Sequence, residues 1–164
     1  MMRNSLVLVI LVEWAVGALA QQPSPPDIKL FASSEEVRKV VAEIKAVRKN
    51  EPLIGRPLLR LAPYRANVEY MGGIAPAAIH PKEAEIFLVL EGSGTMVTGG
   101  SLTDEKQGKS GTILGTGITG GTSREIAKGD MLIVPEGVPH FISKINGELI
   151  LMTLHVPSPF EAGR

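Results

Sequence analysis

The sequence contains no cysteine, which excludes both disulfides and a lipid-modified amino-terminal cysteine. Aromatic residues make up only 4% of its 164 residues, too few for a surface on which nucleic-acid bases would stack. Lysine plus arginine (17) balance aspartate plus glutamate (17), and no basic run stands out. The electrostatic footprint of a nucleic-acid binder is therefore missing. There is no Asn-x-Ser/Thr sequon, no twin arginine, no complete Gly-x4-Gly-Lys-Ser/Thr phosphate loop (Thr103 stands where the leading glycine before Gly108-Lys109-Ser110 would be) and no serine-nucleophile motif. These absences leave a small molecule as the expected partner. The length suits one domain with a substantial core, not two large ones.

The first apolar stretch is also short. Arg3 precedes an apolar run over 6–12, and Ala18-Leu19-Ala20 before Gln21 has the form of a signal-peptidase site. Residues 6–20 amount to 15, interrupted by Glu13, whereas a membrane span needs about 20. Residues 1–20 are thus expected to be a cleaved signal peptide, and the mature chain to work in a bacterial periplasm or outside the cell, free of the membrane. Cleavage removes Arg3 and Glu13, so 17 charges of each sign become 16 and the balance is kept. Without a twin arginine the chain would be exported unfolded and would acquire any metal afterwards.

Residues 21–32 open with three prolines and read as an extended lead-in. A helix is expected over 33–50. Ser33 and Glu36 have capping-box spacing, Glu35 and Glu36 suit the helix dipole, and Pro52 prevents continuation. Val37, Val40, Val41, Ile44 and Val47 form one apolar stripe, which needs the outside of a β-domain or a second subunit to cover it. From 53 to 158 the pattern is that of short strands. Apolar runs at 66–71, 86–90, 95–98, 131–134, 141–145 and 149–155 are separated by Gly, Pro and Asn-Gly. Asn146-Gly147 carries the sequence signature of a hairpin turn. Residues 102–121 read as a long, polar, glycine-rich connection, with Gly99-Gly100 and Gly120-Gly121 echoing one another on either side. Met71, Phe87 and Met131 are expected in the core.

Chemistry concentrates in two stretches. The first runs Gly72, Ala78, His80, Glu85, Gly92; the second runs Gly129, Pro135, Gly137, His140. Their spacing resembles the two motifs of the cupin superfamily, G-x5-H-x-H-x3-4-E-x6-G and G-x5-P-x-G-x2-H-x3-N. Two positions depart from it: Ala78 stands where the first histidine would be, and Lys144 where the closing asparagine would be. The resemblance covers about residues 66–156. It implies an all-β fold, a small antiparallel jelly-roll barrel carrying the amphipathic helix at its N-terminus, commonly paired as a homodimer. It also implies that His80, Glu85 and His140 occupy three metal-ligand places.

Two imidazoles and one carboxylate can hold one divalent transition metal (iron, manganese, copper or zinc) with positions left for substrate. By intrinsic affinity such a site takes copper or zinc ahead of iron or manganese. The implied function is a metal-dependent, oxygenase-like enzyme acting on a small organic molecule. The alternative is a cupin that binds a small ligand without metal or catalysis. Glu85 has the opposite strand parity to His80, so the chain must break near Pro81 for both to face inward. Two further residues are candidates for catalysis. Glu69 lies between Val68 and Tyr70 and either faces solvent or is a pocket acid able to act as general base. His155 serves as a replacement ligand, an orienting partner, a proton shuttle or simply a hydrogen-bonded strand residue. Tyr64 and Arg65 are either an anion-binding pair or ordinary surface residues.

Overall fold

A computed structural model describes residues 28–158. The expected signal peptide and residues 21–27 of the lead-in lie outside the described residues. The hydroxyl of Ser33 accepts a hydrogen bond from the Glu36 amide at 3.1 Å, and helix α1 (Ser34–Val47) starts there. It ends when Arg48 turns to extended backbone, four residues before Pro52. Val41 and Ile44 are buried against Leu58, Val68, Tyr70 and Ile150, with Val37 and Val40 packed beside them. The stripe therefore lies on the outside of the sheet, away from any cavity. Val47 is left exposed. No helix among the described residues is long and apolar enough to cross a membrane.

Two long strands organise everything else. β4 (Glu83–Thr98) and β11 (His140–Pro157) run antiparallel along nearly their whole length. In their first layer, the stretch 83–92 of β4 pairs with 149–157 of β11. Beside them lie β1 (Leu53–Leu61), β2 (Tyr64–Met71) and β10 (Met131–Val134), in the order β1, β2, β11, β4, β10. In the second layer, 94–98 of β4 pairs with 140–145 of β11. There β3 (Ala77–Ile79), β7 (Ile113–Gly115) and β6 (Lys106–Gln107) extend from β11, and β9 (Thr122–Ala127) extends from β4. This is the antiparallel cupin jelly roll expected from the sequence. Met71, Phe87, Val89, Met96, Val134, Ile142 and Leu151 fill the space between the layers.

Both long strands change layer at bulges, where one strand gains residues on its partner and bends. On β11 the bulge is Asn146-Gly147-Glu148, so the expected hairpin there is corrected: the two apolar runs on either side belong to one strand. Asn-Gly supplies a positive φ (83° at Gly147), which a bulge uses as readily as a hairpin. Asn146 donates to the Ser93 hydroxyl at 3.0 Å. Opposite it, Gly92 has φ 80°, and a Cβ there would lie 1.9 Å from the Glu148 carbonyl oxygen. Only glycine fits. The runs at 86–90 and 95–98 are likewise one strand.

The connection at 102–121 is also more ordered than expected. It holds β5 (Ser101–Thr103), β6, a 3-10 turn (Lys109–Gly111), β7 and β8 (Gly117–Thr119). β5 pairs with β8, so the segment satisfies much of its own backbone hydrogen bonding. The echoing glycine pairs lie side by side at its base, where a Cβ on Gly100 would meet the Thr119 carbonyl oxygen at 2.3 Å. Its far end folds back and pairs β7 with β3. Met131 is corrected from core to surface. It is 68% exposed, because edge strand β10 points Met131 and Ile133 away from the interior.

Candidate metal centre

The break expected between His80 and Glu85 is a turn at Pro81 and Lys82, which ends β3 and starts β4. The His80 carbonyl accepts from the Gly137 amide at 2.9 Å, which ties the first stretch to the turn that launches His140. His140 in turn is paired with Ala78 on one side and Thr98 on the other. The result brings His80, Glu85 and His140 together. Glu85 Oε2 lies 3.3 Å from His80 Nε2 and 3.1 Å from His140 Nε2. Glu85, His140 and His155 are buried, and His80 is partly so.

The structure also brings in both further candidates. His155 is directly opposite Glu85 in the β4/β11 register, and its Nε2 lies 3.3 Å from Glu85 Oε1. Glu69 is on the same inward face, with Thr153 donating to its Oε1 at 3.2 Å. It is a pocket acid, and the solvent-facing alternative is set aside. Tyr64 and Arg65 do not form an anion site facing this cavity. Arg65 is engaged by Glu83 through two bonds of 2.7 and 2.8 Å, and Tyr64 lies on the surface. Thr112 was not expected at the site. Its hydroxyl, carried back by the 102–121 segment, sits 3.3 Å from His80 Nδ1. Only the β3/β7 pairing places it there, and no local motif marks that pairing.

These groups line a cavity of about 290 Å³ whose remaining wall is largely apolar, including Met71, Phe87, Met96, Phe141, Ile142 and Leu151. The volume is at the lower end of the ~300–1,000 Å³ usual for small-molecule sites. Burial and the nearby Glu85 charge push the Glu69 carboxyl up to about 7. Burial pushes Glu85 up too, but its hydrogen bonds with His140 and His80 outweigh that and hold it down at about 2. Burial lowers His155 below its ordinary 6.5, more than the neighbouring carboxylates raise it. The cavity thus holds one ionised carboxylate next to one that is easily protonated.

The donor set fits a metal ion. His140 Nδ1 faces the Val138 carbonyl oxygen at 3.2 Å; a carbonyl only accepts, so Nδ1 carries the hydrogen. In the neutral ring Nε2 then points a lone pair at Glu85, which is also an acceptor. A second proton on the ring or a metal cation between the two reconciles them. The separations of 3.1 and 3.3 Å match ligand atoms that are each about 2.1 Å from one ion, and so about 3.0–3.4 Å apart.

A family model described as Cupin matches residues 30–160. A comparison with curated proteins gives no match. Among solved structures, the Schizosaccharomyces pombe Cnp3 cupin domain is similar, with 20% identity and a TM-score of 0.51 over 72% of this chain and 74% of that one. BH2720 from Bacillus halodurans is similar too, with 17% identity and a TM-score of 0.52 over 79% of this chain and 82% of that one. At such identities the likeness to these structures establishes the fold. With the family model spanning both motif stretches and the whole jelly roll, this chain belongs to the cupin family.

Proposed function

We propose that this protein is an exported, metal-dependent enzyme acting on a small organic molecule, with oxygenase-like chemistry. The observation that carries the reading is the meeting of His80 and His140 on the Glu85 carboxylate inside an apolar cavity, next to a carboxyl raised to about 7. His80, Glu85 and His140 would hold one divalent iron, manganese, copper or zinc ion. Such an ion supplies Lewis acidity and, if redox-active, a means of activating O2.

The remaining steps belong to the protein. Phe87, Met96, Ile142 and Leu151 bind the body of the substrate and exclude water from around it. Glu69, its Oε1 held by Thr153, keeps Oε2 to take up or release a proton near neutral pH. Thr112 steadies the His80 ring. No lysine or arginine lines this cavity among the described residues. An uncharged substrate body suits it better than a second anion.

The apolar cavity alone also supports the second reading, a cupin that binds a small ligand without metal. Elemental analysis of the mature protein beside His140→Ala separates the two. One ion per chain that is lost in the variant supports the metalloenzyme. No ion after anaerobic reconstitution with iron, manganese, copper and zinc overturns it and leaves the ligand binder. Export is supported by Arg3, the 6–12 apolar run and Ala18-Leu19-Ala20. A secreted form that begins at Gln21 would bear it out. Homodimerisation is supported by Met131 and Ile133, 68% and 62% exposed on edge strand β10, which a second copy would cover. Sedimentation of the mature protein is the test.

A further inference from the structure

Position 78 is where the ligand set loses a donor. Ala78 lies opposite His140 and lines the cavity with a methyl group. At the far side of Glu85 stands a histidine that neither motif contains. His155 is in register with Glu85 on β4 and with Arg65 on β2. Side chains directly opposite one another across a strand pair project to the same face, so all three point into one region. The His155 ring is 6% exposed, and its centroid is 5.2 Å from that of His80, edge-on.

Both nitrogens of this ring face carboxylates. Nδ1 is 3.1 Å from Glu83 Oε2, and Nε2 is 3.3 Å from Glu85 Oε1. A neutral imidazole has one donor and one acceptor, while an ionised carboxylate only accepts. Whichever nitrogen carries the hydrogen, the other presents a lone pair to an acceptor. The two carboxylates are not equivalent. Glu83 has its charge met by Arg65 in a two-bond fork of 2.7 and 2.8 Å. Among the described residues Glu85 has no arginine or lysine against it in the way Glu83 has Arg65; its partners are His80 and His140 on one oxygen and His155 on the other. The arrangement Arg65 to Glu83 to His155 Nδ1 is the outer half of a carboxylate–histidine–metal triad, which fixes the ring and leaves Nε2 for the ion.

Resting on the metal-centre reading above, we propose that His155 is a fourth ligand, supplied by the last strand in place of the donor absent at position 78. Glu83 and Arg65 are its positioning residues. His155 is then not a proton shuttle, because neither ring nitrogen is left to exchange protons with the cavity. The ligand set becomes three imidazoles and one carboxylate, with the third imidazole entering from β11 rather than β3.

The probe is Co(II) bound to the mature full-length protein. Each imidazole bound through one nitrogen contributes one paramagnetically shifted, exchangeable ring N–H resonance in the proton NMR spectrum. Three are expected in the wild type and two in His155→Gln. The Co(II) dissociation constant should rise at least about 100-fold in that variant and about 10-fold in Glu83→Gln, the usual scale for an outer partner. The double variant Ala78→His, His155→Gln should recover the third resonance. Two resonances in the wild type, with Co(II) affinity unchanged in His155→Gln, would overturn the fourth ligand and leave the three-residue site standing. A proton shared by His155 and Glu85 predicts that same result. Failure of the wild type to bind Co(II) at all would overturn both readings. The wild-type count decides the matter even if His155→Gln does not fold.

Discussion

Replacing Glu69 by Gln should make the metal-free protein more stable at pH 8 while changing little near pH 4.5. Glu69 is taken from an ordinary 4.5 to about 7 by burial and by the Glu85 charge. A folded-state pKa above the unfolded one means that the native state holds its proton longer. The contribution of Glu69 is fully present below the unfolded value, falls as pH rises from 4.5, and is gone by the folded value near 7. One pKa unit is worth about 1.4 kcal/mol, so the span corresponds to about 3 kcal/mol. Partial exposure of the side chain trims this to about 2–3 kcal/mol. Gln keeps the size and still accepts from the Thr153 hydroxyl, but has no charge to bury. Urea unfolding of EDTA-treated wild type and Glu69→Gln at half-unit steps from pH 5 to 8 reads the effect. Glu85, held at about 2, contributes no slope in that window. The opposite slope from His155, whose folded pKa is lowered, is common to both proteins and cancels in the difference. A stability difference that stays flat across the window would refute the placing of Glu69 as a buried, proton-holding acid.

Two further outcomes follow from packing and from hydrogen bonding. Gly92→Ala places a Cβ 1.9 Å from the Glu148 carbonyl oxygen at a φ of 80°. It should cost about 3–5 kcal/mol in chemical denaturation, and an unchanged midpoint would contradict the bulge geometry. Thr112→Val removes the hydroxyl beside His80 Nδ1. It should weaken metal binding about 10-fold with the circular dichroism spectrum preserved, as titration calorimetry would show.

The spacing of Gly72, His80, Glu85 and Gly92, then Gly129, Pro135, Gly137 and His140, was enough to indicate the barrel. Those glycines and histidines answer to local demands: a break at Pro81, a bulge at Gly92, a turn into His140. What stayed hidden depends on residues far apart in the chain. Asn146-Gly147 has hairpin chemistry, and only the Gly92 bulge across from it shows that β11 continues through. The solvent reading of Glu69 gave way because Thr153, 84 positions on, faces it from β11. His155 gained its neighbours through the triple register of β2, β11 and β4. The 102–121 segment has the composition of a loop, yet its short strands pair with each other and with β3. Met131 looks like a core residue in a short apolar run, but an edge strand turns alternate residues outward.

The excursion carrying Thr112 and Leu114 leaves the barrel at Thr98 and rejoins it at Thr122, and those two residues are paired neighbours. Chain exit and re-entry at one point make the excursion a cassette. A short turn from Thr98 to Thr122 would close the β4/β9 hairpin and leave Glu85, His140 and His155 on their strands. It would also remove one wall of the cavity and strip β3 of its outer neighbour. The strands that carry Glu85, His140 and His155 and the segment that walls the cavity therefore reside in separable lengths of chain, meeting where Thr112 reaches His80. Exchanging the cassette would reshape the cavity without altering the strands beneath.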